Sequence, residues 1–258
     1  MKRTALSNKK SIIVAFLVFF GCFVPIFIGF STNSEAASTL SLSLSIGLPH
    51  KGALKNGEVL PASGEGYHLM STVKERRARF GVSELIQLIK WSTWKVHQKH
   101  HGATIAVGDL SKRTGGEFDH HASHQNGRDV DLVFYALNPK GASVSVNEMI
   151  PYDKNGYSVT PPMTYRFDTA RNWTLVRELV ESRKAHVQWI FVAEHLKTLL
   201  LEYAEASGAS KQTIWRASQM MKQPSNSAHW DHFHVRIYCP ANDKPECRDF
   251  GPKWGWLK

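Results

Sequence analysis

Two histidine clusters hold the residues of this chain best suited to chemistry. The first, His121-Ala-Ser-His124-Gln-Asn-Gly127-Arg-Asp129-Val-Asp131, sets an imidazole and a carboxylate seven positions apart across a turn that contains a glycine. The second, His229-Trp-Asp-His232-Phe-His234, lies far downstream and runs into Val-Arg-Ile-Tyr. With His120, which adjoins the first stretch, six of the thirteen histidines fall in these two clusters, so they do not read as scattered surface rings. Two imidazoles and one carboxylate brought together from these stretches supply two nitrogens and one oxygen, the ligand set of a zinc site with its fourth position open for water. His232 shares a strand face with His234 and has two readings. It is either a hydrogen-bond partner behind a ligand, or a general base that takes a proton from metal-activated water. His229 reaches the same cavity from above, where it would stabilise an oxyanion or protonate a leaving amine. Asp129 is expected to orient a ligand imidazole, with a solvent-exposed carboxylate as the competing reading. No helical motif of the gluzincin or metzincin kind is present. His50, His68, His97, His100, His101, His186 and His195 read as surface or satisfied core residues.

Strands must position these groups. Asp129 to Tyr135 is rich in β-branched and aromatic residues and reads as a strand entered from the His124 loop. His232 and His234 open a second one, with both imidazoles on one face. Gly102 to Leu110 and His186 to Val192 read as buried strands. Helices are expected from Ser83, as its cap, to about His97, over Thr174–Lys184, over Ala193–Ala206 and over Gln212–Met221. Trp91 and Trp94 are assigned to core packing on the first of these, with a sugar-stacking surface as the alternative. Tyr67 to Val73 reads as a short strand and Arg76 to Gly81 as a basic turn. Residues 138–168, with four prolines and no periodicity, read as a long substrate-facing loop. The resulting class is α+β, a small, mainly antiparallel sheet flanked by helices, with the zinc site at strand ends.

Composition narrows the setting. Of the formal charge of +10, residues 1–36 contribute +3, which leaves +7 for residues 37–258. A basic surface fits an anionic partner such as nucleic acid, lipid or an acidic cell-wall polymer. Nucleic acid is disfavoured, because finger-like Cys/His spacing and dense basic runs are missing from the body. Lys2 to Lys10 followed by an uncharged run from Ile12 to Phe30 and by Ser34-Glu-Ala36 reads as a secretory signal cut after Ala36. An uncleaved membrane anchor is the alternative, and contact with a membrane is expected only through this segment. Cys239 and Cys247 flank a turn-rich loop short enough for a local disulfide, which an oxidising compartment would preserve.

The clusters resemble the penicillin-insensitive murein endopeptidases, within the wider group named for lysostaphin, D-Ala-D-Ala peptidases and Sonic hedgehog. The group pattern His-x6-Asp followed by His-x-His is met by His124/Asp131 and His232/His234. Finer likenesses are Val107-Gly-Asp109, Gly115-Gly116, Trp189-Ile-Phe-Val192 and the run from His229 to Pro240, and the resemblance extends over nearly the whole body from Ser45. It implies a periplasmic zinc peptidase that hydrolyses the D-alanyl–meso-diaminopimelyl cross-links of peptidoglycan. By the same resemblance His124, Asp131 and His234 are zinc ligands, His121 is a further ligand, and His232 and His229 are catalytic. Penicillin insensitivity would follow because metal-activated water leaves no serine for a β-lactam to acylate. Two alternatives remain at this point: a D,D-carboxypeptidase of the same group, and a non-catalytic zinc-containing wall-binding protein. The expected organisation is residues 1–36 as signal or anchor and 37–258 as the zinc metallopeptidase domain.

Overall fold

The computed structural model describes residues 42–160 and 164–257, so the signal or anchor expected over residues 1–36 lies outside the described residues. Among the described residues no helix is long and apolar enough to cross a membrane. Strands β1 (Leu44–Leu48), β2 (Lys51–Lys55), β3 (Glu58–Val59), β4 (Ser63–Gly64) and β5 (Tyr67–Leu69) precede helix α1 (Ser71–Arg76). Strand β6 (Phe80–Gly81), helix α2 (Ser83–Lys99) and strands β7 (Ile105–Val107) and β8 (Asp129–Val133) follow. Then come β9 (Ala136–Leu137), β10 (Ser143–Val144), β11 (Arg166–Phe167), α3 (Thr169–Val180), β12 (Val187–Phe191), α4 (Glu194–Ala206), α5 (Lys211–Met220), β13 (Met221–Lys222) and β14 (His232–Ile237).

The α+β class holds, but the main sheet is not small. It has seven strands in the order β13-β12-β14-β8-β7-β5-β4. Only the β12–β13 and β5–β7 pairings are parallel. The sheet outgrows the expected one through edge strands of two residues, β4 and β13, too short for any alternation to reveal them.

Alternation along β12, β14 and β8 divides the sheet into two faces. Ile190, Phe233, Val235, Ile237, Val130 and Leu132 point to one side and are almost wholly buried. They join Leu85 and Ile89 of α2, Leu175 and Leu179 of α3, and Leu196 and Leu200 of α4 in one continuous core. Each such side chain contributes roughly 1.5–3 kcal/mol by leaving water. The opposite face carries Phe191, Trp189, His232, His234, Arg236, Asp131 and Asp129 instead.

Several local expectations change. Helix α1 begins two residues after β5, so the strand expected over Tyr67–Val73 ends at Leu69. Ser83 does not cap α2: Val82 holds that position without a side-chain bond, and the Ser83 N–H donates to Ser43 Oγ at 2.8 Å. Helix α3 starts five residues earlier than expected, because Asp168 caps it by accepting from Arg171 N–H at 3.1 Å. Trp91 and Trp94 are not core residues. They lie half-buried on the outer flank of α2 with ring centroids 5.1 Å apart, and Lys95 reaches over both. Within residues 138–168, β10 and β11 pair with β9 as a small sheet. Asn138 and Asp153 each accept two backbone N–H groups there and build turns out of what reads as loop.

Cys239 and Cys247 are disulfide-bonded, with Cα atoms 5.7 Å apart. Beside them the fully buried Arg128 donates from Nη1 to Ile237 O and Asp249 Oδ1 and from Nη2 to Arg248 O, each at 3.0 Å. One side chain thus ties the C-terminal segment to β14. Because Leu132 is fully buried on the core face, directly beside Asp131, Leu132→Ala is expected to destabilise the fold by about 3 kcal/mol. The midpoint of urea unfolding measures this; a change below about 1 kcal/mol would contradict the core assignment.

Candidate metal centre

Antiparallel pairing of β14 with β8 sets His234 opposite Asp131 and Arg236 opposite Asp129. On the other side of β14, Phe191 of β12 faces His234. The central pair therefore lies in mid-strand on the open sheet face, not at the strand ends, because only same-face register can hold an imidazole against a carboxylate from two strands. His124 arrives from the loop before β8 with its backbone in the left-handed region (φ 66°), held there by donation of its N–H to Asp129 Oδ2 at 3.1 Å. Such a conformation is uncommon for a residue other than glycine and marks a constrained loop. Gly127 completes the turn at φ 76°, where an added Cβ would also meet Leu54 Cδ1 at 2.8 Å. Gly115 lets a neighbouring loop approach so closely that a Cβ would stand 2.1 Å from Gln125 O.

Four imidazoles then converge on one carboxylate. Asp131 Oδ1 lies 3.3 Å from His124 Nε2, 3.4 Å from His234 Nδ1 and 3.5 Å from His232 Nε2. Asp131 Oδ2 lies 3.9 Å from His121 Nδ1. The far nitrogen of every ring is anchored. His124 Nδ1 donates to Leu110 O at 2.7 Å, His234 Nε2 to Asp129 Oδ1 at 3.1 Å, His121 Nε2 to Asp109 Oδ2 at 2.9 Å, and His232 Nδ1 to Asp231 Oδ1 at 2.6 Å. A carbonyl or carboxylate only accepts, so in each neutral ring the anchored nitrogen holds the proton and the inward one presents a lone pair.

Acceptors facing acceptors repel unless something positive lies between them. Both Asp131 oxygens are buried and, among the described residues, have no hydrogen-bond partner. His124 Nε2 and His234 Nδ1 stand 3.3 Å apart. These separations match the edge of a tetrahedron of zinc ligands, about 3.3 Å for bonds of about 2.0–2.1 Å. His121, His124 and Asp131 also each offer a ligand atom within 4.8 Å of one another. The donor set and its spacing fit a divalent cation.

The charge balance agrees. Asp131 and Asp129 are fully buried, and burial alone would raise their pKa values. His124 and His232 hold Asp131 far below the usual carboxylate range, and Arg236, whose Nε donates to Asp129 Oδ1 at 2.6 Å, does the same for Asp129. Burial opposes charge on His124, yet the adjacent Asp131 carries it up to about 9. Two buried carboxylates thus face one guanidinium, and the remaining positive charge is a proton on His124 or a cation in its place. Burial is also the main influence on His232, but Asp131 and Asp231 outweigh it and raise its pKa. Burial lowers His229 and His234 to about 4, with the neighbouring His232 adding to the effect on His229.

All six residues expected at the site are gathered here. His229, at φ 44°, comes from the segment before β14, with its ring centroid 5.2 Å from that of His232 and 5.7 Å from that of His234. His120 of the first cluster is exposed. Asp129 is buried and anchors His234, which removes the solvent-exposed reading. The anchors Asp109, Asp231 and the Leu110 carbonyl went unassigned in the sequence reading, as did Arg76, which donates to Asp109 Oδ2 at 2.7 Å. Asp109 and Asp231 stood within the motifs, but nothing in the sequence distinguishes an anchor from a bystander.

Fold and site together define an α+β protein with a candidate metal centre of imidazole and carboxylate ligands. Residues 45–253 match the family model described as penicillin-insensitive murein endopeptidase, and the chain belongs to that family of peptidases. Relatives carrying the same name include one from Klebsiella pneumoniae (strain 342), 30% identical over 215 residues that cover 81% of this chain and 70% of the relative. One from Salmonella arizonae is 28% identical over 209 residues, covering 80% and 69%. One from Yersinia pestis is 29% identical over 212 residues, again covering 80% and 69%.

Asp129 touches no inward-facing nitrogen, yet it fixes His234 and the His124 backbone. Asp129→Asn is therefore expected to weaken the affinity of the folded protein for a divalent cation, with zinc as the probe, by about 10- to 100-fold. Competition with a chromophoric chelator reads the affinity, and circular dichroism confirms the fold; unchanged affinity would remove Asp129 from this role.

Proposed function

We propose that this chain is a zinc-dependent endopeptidase that hydrolyses D-alanyl–meso-diaminopimelyl cross-links of bacterial peptidoglycan in the periplasm. The observation that carries this reading is the convergence of the His124, His234 and Asp131 ligand atoms, 3.3–3.4 Å from one another, with both ring nitrogens turned inward by anchors on their far sides. Those three residues are the proposed ligands. His121 is a further one, with Nδ1 facing Asp131 and Nε2 held by Asp109. Residues 1–36 are proposed as the export signal, cut after Ala36, and 37–258 as the peptidase domain. The names of the relatives, which specify murein endopeptidases, support the substrate.

The chemistry a zinc ion supplies in such a sphere is Lewis acidity, which polarises a carbonyl and brings the pKa of water down toward 7. The side chains do the rest. His232, with Nδ1–H anchored on Asp231, presents Nε2 to take a proton from water as its oxygen attacks the D-alanyl carbonyl carbon. When the C–N bond breaks, the same Nε2 returns that proton to the departing diaminopimelyl amine. His229, kept neutral by burial and by His232, is the hydrogen-bond donor for the developing oxyanion. Asp231 and Asp109 hold their rings in the required tautomers throughout.

The purified domain should bind about one zinc ion per chain and convert cross-linked muropeptide dimers to monomers, with activity lost on chelation and restored by added zinc. Full activity after exhaustive metal removal would defeat the proposal. His232→Ala should keep the metal and lower kcat by about 10²- to 10⁴-fold, read by chromatography of the muropeptide products. Loss of the metal itself in that variant would make His232 a ligand instead of the base.

A further inference from the structure

An aromatic strip starts beside the candidate centre on the helix-free face of the sheet and runs through the C-terminal segment to α5. It starts at Phe191, whose ring centroid lies 5.2 Å from that of His234 and 5.8 Å from that of His229. Trp189 follows on the same strand, two residues away and so on the same face, stacked on Phe191 at 5.8 Å with 23° between planes. Trp254, from the C-terminal segment, meets Trp189 edge-on at 5.2 Å, and its indole N–H donates to Gln188 O at 2.9 Å. Trp256 stacks on Trp254 at 5.1 Å with 7° between planes, and Trp215 of α5 closes the run at 4.8 Å from Trp256. The first four rings are half-buried, and Trp215 is 53% exposed.

The folding core explains only part of this strip: Trp254 and Trp256 are half-buried against it, whereas Phe191 and Trp189 lie on the sheet face opposite the buried one and Trp215 stands exposed on α5. Its charges are cationic. Lys222 Nζ sits 5.6 Å from the Trp189 centroid and Arg216 Cζ 5.8 Å from that of Trp256. Flat, half-exposed rings in a row bind ligands with flat apolar faces, and cations beside them select ligands that also carry carboxylates. A sugar strand bearing acidic peptide stems has both properties. A bilayer anchor would need its rings exposed for insertion, which here only Trp215 approaches.

We propose that Phe191, Trp189, Trp254, Trp256 and Trp215 form a carbohydrate-binding strip that holds the glycan strand whose peptide stem enters the candidate metal centre. The inference rests on the peptidoglycan reading above and adds the polymer element recognised outside the scissile bond. Continuity is its strongest support, because the strip begins in contact with the two imidazoles and leads to the surface without a gap.

The test uses peptide-free glycan strands prepared from sacculi, titrated into the purified wild-type protein while intrinsic tryptophan fluorescence is followed. Saturable binding is expected, weakened about five-fold by Trp256→Ala or Trp215→Ala and restored by Trp256→Tyr. Trp215 is exposed, so its variant carries the test if Trp256→Ala fails to fold. No saturable binding by the wild type, or alanine variants that bind like it, overturns the strip. Tryptophan-dependent binding to anionic phospholipid vesicles in place of glycan overturns it in favour of a membrane surface. Binding of glycan by a protein that cleaves no cross-link would keep the strip and defeat the endopeptidase reading, whereas cleavage without glycan binding would do the reverse.

Discussion

The register between β8 and β14 places Asp131 directly across from His234, and every other feature of the centre depends on it. A slip of one residue would turn Val130 and Leu132 to the open side and drive Asp131 into the core. Burial enforces the correct register, since Phe233 and Val235 can leave water only when His232 and His234 face the other way. A charged carboxylate desolvated without partners costs several kcal/mol, so the slipped pairing is penalised on both faces at once. The hydrophobic face thus protects the geometry of the polar one, and the site needs few contacts of its own to stay in register.

Register alone would leave the rings free to rotate. Each is fixed by an acceptor on its far nitrogen: a backbone carbonyl for His124 and carboxylates for His121, His232 and His234. Two of those carboxylates are themselves neutralised from behind, Asp109 by Arg76 and Asp129 by Arg236. The arrangement is layered, from arginine to carboxylate to imidazole to the central point. Such layering fixes which nitrogen of each neutral ring carries the proton and aims the other inward.

The strands bearing the site were legible because each is long enough, and rich enough in β-branched or aromatic residues, to show its period. The two histidine clusters were legible because no core requires imidazoles so close together. Edge strands such as Ser63–Gly64 and Met221–Lys222 were not, because two residues have no period. Trp91 and Trp94 show the limit differently. Their spacing assigns them to a helix, but whether that flank meets the core or solvent depends on what packs against it, which local sequence does not encode. Asp109 stayed hidden because it is twelve residues from His121 in sequence and meets it only through the loop after β7. Asp231 was hidden for the opposite reason: it adjoins His232, and adjacency in a strand usually separates side chains. It can reach His232 Nδ1 because it lies just outside β14, where alternation no longer applies.

An antiparallel sheet covered by helices on one side leaves the other side to find its own satisfaction. Here the helix-free face is neither bare nor uniformly polar, with titratable groups clustered at β8 and β14 and aromatic rings spreading toward β12 and the C-terminal segment. The two regions meet at Phe191, which touches both imidazoles and Trp189. A ring in that position excludes water from one flank of the imidazoles, which strengthens the electrostatics among them, and offers an apolar surface to whatever approaches from the other side. Arg128 and the disulfide-closed loop hold the C-terminal segment against the end of β14, and that anchorage brings Trp254 to Trp189. Without the C-terminal segment the aromatic region would end at Trp189.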